Sequence, residues 1–121
     1  MQILRDYMSS PVISISPQAN IFEAAKKMTD HKIGCLLVQE NGEYVGIITR
    51  SDLVNRVLAK NRDPATTRVA DVYTKPLLTM DYLLTVDETR EKLLRKNIKR
   101  LAVTQQGKVV GVFSTKDLIK T

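Results

Sequence analysis

The chain has 121 residues, of which 43% are hydrophobic and 26% charged, and its formal net charge at pH 7 is +6. This apolar content excludes a disordered chain, because disordered sequences have too few apolar side chains to form a core. The length allows one compact domain or a tightly fused pair and is small for a self-contained enzyme. No apolar run approaches the roughly 20 residues that a membrane helix needs.

Cys35 is the single cysteine and His31 the single histidine. One cysteine cannot form an internal disulfide, and the N-terminus has no charged and then apolar run like a signal peptide, so we expect a cytoplasmic protein. Metal sites need several ligands at fixed spacings, and no metal site is predicted here. A nucleophilic Cys–His pair would lack a third, orienting residue, which argues against catalysis.

A tandem repeat organises the chain, which matches itself without a gap when it is shifted by 65 positions. The identical pairs include Asp6 with Asp71, Pro11 with Pro76, Glu23 with Glu88, Leu36 with Leu101, Gly46 with Gly111 and Asp52 with Asp117. We place the copies at residues 1–60 and 69–121, joined by a polar linker, 61–68, that contains Pro64. Because a unit of about 50 residues leaves much apolar surface in water, we expect the copies to pack together and the function to lie in the clefts between them.

The first copy predicts the element order β-α-β-β-α. The expected elements are a strand at 12–15, a helix capped by Asn20, a strand at 35–38, a turn at Asn41-Gly42, a strand at 44–48 and a helix from Thr49. The second copy repeats this order, with a strand at 77–80, a helix at 86–97 capped by Thr85, strands at 101–104 and 109–113, and a helix from Ser114. The predicted fold is therefore α/β of the α+β kind. The apolar residues of segment 1–8 predict a short helix that docks on the partner unit or on a second chain.

One short pattern ends each copy: Gly46, Thr49 and Asp52 in the first, and Gly111, Ser114 and Asp117 in the second. A hydroxyl and a carboxylate at this spacing are typical of a helix cap, which is the simplest explanation. Two features favour a binding function instead. A glycine inside an apolar strand marks a close approach to the backbone. A helix start also suits a phosphate, and a carboxylate one turn later can accept the hydroxyl protons of a ribose.

With these features the chain resembles the tandem CBS domain proteins, also called Bateman modules, over nearly its whole length. The resemblance rests on the 65-residue repeat, on the Asp-x-Met/Tyr stretch before Pro11 and Pro76, in which Tyr73 replaces the usual Met, and on the two Gly-h-x-[Ser/Thr]-x-x-Asp endings. It implies two β-α-β-β-α repeats packed about a pseudo-two-fold axis. It also implies a regulatory, non-catalytic module that binds AMP, ADP, ATP or S-adenosylmethionine in the clefts between repeats.

Carried over residue by residue, the resemblance implies two sites. In site A, Asp52 would hold the ribose, Thr49 the phosphate, Leu77 and Leu78 the adenine, and Lys99, Arg100 and Lys116 the phosphate charge. In site B, Ser114 and Asp117 would act with Val12 and Ile13 as the adenine wall. The basic residues of site A correspond there to Gly34, Cys35 and Ser51, so site B should be empty or take a less anionic adenosyl compound.

The positive charge leaves a second function open. Residues 1–65 hold 8 Lys and Arg against 7 Asp and Glu, whereas residues 66–121 hold 11 against 6. The basic residues could simply solvate the end of a helix, where cations suit the helix dipole. They could also bind nucleic acid, although the chain has six aromatic residues and no Trp to stack on bases. Related modules also pair, so a homodimer is expected, with Leu53, Val54, Val57 and Leu118 as candidate contacts, and any regulated target would be a separate protein.

Overall fold

The computed structural model of the chain describes residues 1–120, which form two compact units. The first unit is Ile13–Leu77, and the second unit joins Met1–Val12 to Leu78–Thr121. Each unit contains one three-stranded sheet together with helices. The fold is thus mixed α+β, as the sequence predicts.

The sheet of the first unit has the strand order β1-β2-β3. Strand β1 (Ser14–Ile15) is parallel to β2 (Cys35–Glu40), which is antiparallel to β3 (Glu43–Thr49). Helix α1 (Ile21–His31) makes the connection that two parallel strands require. After β3 comes helix α2 (Arg50–Asp52), which continues as a π-helix over Leu53–Leu58.

The second unit repeats this arrangement with the order β4-β5-β6. Its strands are β4 (Thr79–Asp81), β5 (Arg100–Gln105) and β6 (Lys108–Ser114), with helix α3 (Val86–Lys96) between the first two. A 3₁₀ helix, Thr115–Lys120, follows β6. The predicted order β-α-β-β-α is therefore confirmed in both copies, but the final helix of each copy is not a regular α-helix.

Local signals place the turns and helix ends where the sequence predicts them. Both hairpin turns have positive φ at both central residues, 52° and 81° at Asn41-Gly42, and 53° and 79° at Gln106-Gly107. This is the turn geometry that matches the twist of paired strands. At the helix starts, the Asn20 side chain accepts from the N–H of Glu23, and the Thr85 hydroxyl accepts from the N–H of Glu88.

The compact units do not coincide with the two sequence copies, because each unit takes in the opening segment of the other copy. Leu4, in a 3₁₀ helix at Leu4–Asp6, is fully buried in a cluster with Val86, Leu93, Leu101, Val103 and Phe113. In the same way Val69 and Val72 lie in the core of the first unit, with Ile15, Ile21, Leu36 and Ile48. The N-terminal segment thus docks on the other copy, which is one of its two predicted destinations.

The polar stretch 61–68 is part of the first unit and does more than connect the copies. The carbonyls of Pro64 and Thr67 accept hydrogen bonds from the N–H of Ile21, at 3.1 and 3.0 Å, and Thr67 is 4% exposed. This N–H lies in the first turn of α1 and has no partner within the helix. The carbonyl of Gln2 accepts from Val86 in the second unit in the same way, at 3.0 Å.

Candidate functional site

The turn between β3 and α2 is held by a reciprocal pair of hydrogen bonds between Thr49 and Asp52. The Thr49 N–H donates to Oδ2 of Asp52 at 2.9 Å, and the Asp52 N–H donates to the Thr49 hydroxyl at 3.3 Å. The same hydroxyl donates to Oδ2 at 3.2 Å. This is the capping-box spacing that the sequence indicates, and it fixes both side chains at the carboxyl end of a buried strand.

Asp52 is only 7% exposed, so its carboxylate depends on partners within the protein. Its second oxygen, Oδ1, lies 3.4 Å from the hydroxyl of Thr74 and 3.6 Å from Nε of Arg56. Arg56 also donates from Nη1 to the carbonyl of Val72 at 3.1 Å. Both contacts to Oδ1 are longer than the bond between the Thr49 N–H and Oδ2, so Oδ1 is the more loosely held of the two oxygens.

The second unit has the equivalent turn after β6. The N–H of Ser114 donates to Oδ2 of Asp117 at 2.9 Å, and the Ser114 hydroxyl donates to the same oxygen at 3.3 Å. Asp117 is 5% exposed. The two predicted endings therefore have the same local geometry, with a nearly buried carboxylate at each.

Gly46 and Gly111 mark a close approach to the backbone, but the approaching group is the chain itself. A Cβ on Gly46 would lie 2.5 Å from the ring of Tyr73, and one on Gly111 would lie 2.5 Å from the sulfur of Met8. Interpreting these glycines as a sign of an approaching ligand was therefore wrong. They make room for the segments that lead to Pro11 and Pro76, and the binding hypothesis rests on the hydroxyl and the carboxylate.

The residues predicted as adenine walls are half-buried and lie at the two points along the chain where one unit ends and the other begins. The carbonyl of Ile13 accepts from the N–H of Leu37 at 3.0 Å, and the carbonyl of Leu78 accepts from Ala102 at 2.8 Å. These bonds fix the backbone of each wall to the middle strand of a sheet. Val12 and Leu78 belong to the second unit, and Ile13 and Leu77 to the first.

The three predicted basic residues all belong to the second unit. Arg100 pairs with Ser114 across β5 and β6, and the carbonyl of Lys99 accepts from the N–H of Thr115 at 2.9 Å. Lys116 lies in the turn that Ser114 begins. Within residues 1–120, no salt bridge joins Lys99, Arg100 or Lys116 to a carboxylate. They place three positive charges at this end of the sheet.

The division into units also divides the predicted sites. Of the residues of site A, the first unit holds Thr49, Asp52 and Leu77, and the second unit holds Leu78, Lys99, Arg100 and Lys116. Within the second unit, the basic residues of site A share one end of the sheet with Ser114 and Asp117 of site B.

Two contacts of Asp52, with Arg56 and Thr74, are not among the sequence predictions. Arg56 follows Asp52 by four residues, a spacing that places two side chains on one helix face and could have indicated the pair. Thr74 lies 22 residues from Asp52, and no local pattern joins them. In the described part of the chain, no three His, Cys, Asp or Glu side chains are grouped to hold a metal ion. Across residues 1–120, moreover, every helix is too short or too polar to cross a membrane.

The geometry defines a class of protein, a duplicated β-α-β-β-α chain in which each copy ends at a hydroxyl and a nearly buried carboxylate. Residues 4–59 and 69–121 each match the family model of the CBS domain. The chain belongs to the CBS domain family and is a tandem pair of CBS repeats, as the resemblance implied.

Two relatives of similar sequence have names that state no function. The chain is 32% identical to the uncharacterized protein MK0525 of Methanopyrus kandleri over 90% of its own length and 57% of that protein. It is 30% identical to the CBS domain-containing protein YhcV of Bacillus subtilis, over 98% of its own length and 84% of YhcV. The chain thus spans little more than half of one relative and most of the other.

Solved structures of CBS proteins share the fold. The CBS domain pair of protein MJ0100, in complex with 5-methylthioadenosine and S-adenosyl-L-methionine, superposes with a TM-score of 0.86 at 29% identity. That match covers 99% of this chain and 94% of the other. The hexameric CBS-CP12 protein from bloom-forming cyanobacteria superposes with a TM-score of 0.91 at 28% identity, over 98% of this chain and 70% of that one.

Proposed function

We propose that the chain is a non-catalytic regulatory module that binds an adenosine-type ligand. Asp52 accepts the ribose hydroxyls, and Thr49 approaches the phosphate. The adenine lies along Leu77 and Leu78, and the phosphate charge is neutralised by Lys99, Arg100 and Lys116. A ligand that binds the folded chain and not the unfolded chain stabilises the fold and shifts the populated states, which is how such a module passes a signal to a target.

The observation that carries this proposal is the pair of nearly buried carboxylates, Asp52 and Asp117, each at the start of a helical turn beside a hydroxyl. A carboxylate accepts hydrogen bonds from hydroxyls and donates none, which suits a ribose. The complex of the MJ0100 CBS pair with two adenosyl compounds supports the choice of ligand class.

The charges favour different ligands for the two sites. Lys99, Arg100 and Lys116 carry no salt bridge within residues 1–120, and charge-assisted hydrogen bonds to phosphate are roughly twice as strong as neutral ones. Site A therefore takes AMP, ADP or ATP. Site B, formed by Val12, Ile13, Ser114 and Asp117, takes a less anionic compound such as S-adenosylmethionine or remains unused.

Calorimetry tests the proposal. The wild-type chain is titrated with AMP, ATP, S-adenosylmethionine and 5-methylthioadenosine, and the titrations are repeated with Asp52→Ala. We expect AMP or ATP to bind and Asp52→Ala to lose that binding. The matched control is Asp30→Ala, an exposed aspartate on α1 that should leave binding unchanged. A wild-type chain that takes up none of the four compounds at millimolar concentration contradicts the proposal.

Nucleic-acid binding is the alternative, and the ion pairs of α3 weigh against it. Arg90 pairs with Asp87 and Arg95 pairs with Glu91, both at 2.6 Å, so part of the positive charge of this helix is already compensated. A short DNA duplex titrated at two salt concentrations distinguishes the two functions. Binding that weakens steeply with salt and ignores Asp52→Ala would favour nucleic acid.

We also propose a cytoplasmic homodimer. Val54 and Leu58 of the helix after β3 are 53% and 64% exposed, which leaves apolar surface for a second copy. Val57 was also expected in this contact, but it is fully buried in the core of its own unit, and Leu53 and Leu118 pack against the cores of theirs. Sedimentation that finds only particles of 13.7 kDa would rule out the dimer.

A further inference from the structure

The acceptor capacity of Asp52 is largely used by the protein itself. A carboxylate offers about four acceptor positions, two on each oxygen. At Oδ2 both are taken, by the N–H and the hydroxyl of Thr49. At Oδ1 the hydroxyl of Thr74 takes one, at 3.4 Å. One position therefore remains for a donor from a ligand.

The guanidinium of Arg56 lies near Oδ1 but does not occupy that last acceptor position. Its Nε lies 3.6 Å from Oδ1, too far for a good hydrogen bond but close enough to stabilise the negative charge. Its Nη1 is engaged with the carbonyl of Val72, which restrains the guanidinium where it is. Arg56 thus acts as the charge partner of Oδ1 and leaves the remaining acceptor position to a hydroxyl.

We propose that Thr74 is a specificity-determining residue of site A, because its hydroxyl competes with the ribose for Oδ1 of Asp52. One ribose hydroxyl is accepted directly, and the second is accepted only when Thr74 gives up its hydrogen bond. This inference rests on the proposed function, in which Asp52 binds a ribose. It follows that the wild-type site gains little from a second hydroxyl, and that Thr74 sets how well it distinguishes a ribonucleotide from a 2′-deoxyribonucleotide.

Thr74 lies in the segment that precedes Pro76, and its backbone is held in place. The backbone of Thr74 is fixed to β3 by two hydrogen bonds with Ile47, at 2.8 and 3.0 Å, so only its side chain is available to move. Substitution of the side chain should therefore leave the backbone in place. Thr74 is itself exposed, which makes the substitution tolerable for the fold.

The test compares AMP with 2′-deoxy-AMP by calorimetry on the full chain. Thr74→Val keeps the shape of the side chain and removes the competing donor. We expect the affinity for AMP to rise roughly three- to ten-fold, the value of about one hydrogen bond, while the affinity for 2′-deoxy-AMP stays the same. Thr74→Ser retains a hydroxyl and should behave as the wild type. Thr66→Val, at an exposed threonine of the same unit, is the matched control.

The possible results separate this inference from the proposed function. If Thr74→Val changes the affinity for both nucleotides equally, or for neither, Thr74 has only a structural role or none, and the inference is overturned. In that case the proposed function still stands provided Asp52→Ala loses AMP binding. If the wild-type chain binds neither nucleotide, both the inference and the assignment of site A to a nucleotide are overturned.

Discussion

At the scale of single residues, Gly46 shows how closely the chain packs on itself beside the candidate site. A Cβ at this position would meet the ring of Tyr73 and the carbonyl oxygen of Thr74. The carbonyl is held by its hydrogen bond to Ile47 and cannot move aside alone. Gly46 therefore fixes the position of the segment that carries Thr74, and through it the surroundings of Asp52.

We expect Gly46→Ala to destabilise the protein by about 1–3 kcal/mol or more, which is the usual cost of forcing extra volume into a packed site. The comparison is Gly42→Ala in the hairpin turn, where nothing lies within 4 Å and only the positive φ of 81° is unfavourable. That change should cost about 1–2 kcal/mol, the usual cost of a left-handed conformation for a residue with a Cβ. Urea denaturation measures both, and equal losses would show that the contact at Gly46 can relax.

The sequence could indicate some residues near the site and not others, for a physical reason. Thr49 and Asp52 interact over three positions, so their spacing alone predicts a capped turn. Thr74 contacts Asp52 only because the chain comes back to pair with β3. A contact between residues so far apart in sequence leaves no local sequence pattern. The two glycines were recognised as close approaches, but the sequence could not say that Tyr73 and Met8 were the approaching groups.

At the scale of elements, the strands, hairpins and first helices were predictable because their signals are local. Asn41-Gly42 specifies a turn with positive φ, and Asn20 specifies a helix start. The last helix of each copy was predicted only as a helix. In the first unit it continues from α2 as a π-helix over Leu53–Leu58, and in the second it is a 3₁₀ helix over Thr115–Lys120. Whether a helix has α-, π- or 3₁₀-type hydrogen bonds depends on its packing, which the apolar periodicity of the sequence does not indicate.

The N-terminal segment is an element of the second unit, and Leu4 is its anchor. Leu4→Ala should cost about 2–5 kcal/mol of unfolding free energy, because it leaves a cavity in a fully buried cluster. Leu94→Ala is the matched control, since Leu94 is 74% exposed and its loss should change stability by no more than about 0.5 kcal/mol. A Leu4 variant as stable as the control would mean that the segment does not contribute to the core.

At the scale of the whole molecule, the duplication and the packing follow different boundaries. The sequence repeats lie at 4–59 and 69–121, whereas the first compact unit is Ile13–Leu77. The repeat in the sequence shows which residues were duplicated. The buried side chains of each unit show which residues pack into one core. Val69 and Val72 belong to the second copy by sequence and to the core of the first unit by contact.

Two fragments of the chain test whether the compact unit or the sequence copy is the part that folds. We expect the fragment 13–77 to unfold cooperatively in urea, because it holds its own core and domains of this size can fold alone. The fragment 1–60 follows the sequence copy and lacks Val69 and Val72, so we expect it to remain unfolded. Circular dichroism during denaturation measures both. A cooperative transition in 1–60 would show that the segment around Val69 is dispensable.

The exchange of opening segments bears on how such a chain could have arisen. Each unit is completed by the opening residues of the other copy, Met1–Val12 for one and 69–77 for the other. In an ancestor with a single copy, the same packing would require two identical molecules that exchange their opening segments. Fusion of two such genes would place both exchanged segments in one polypeptide.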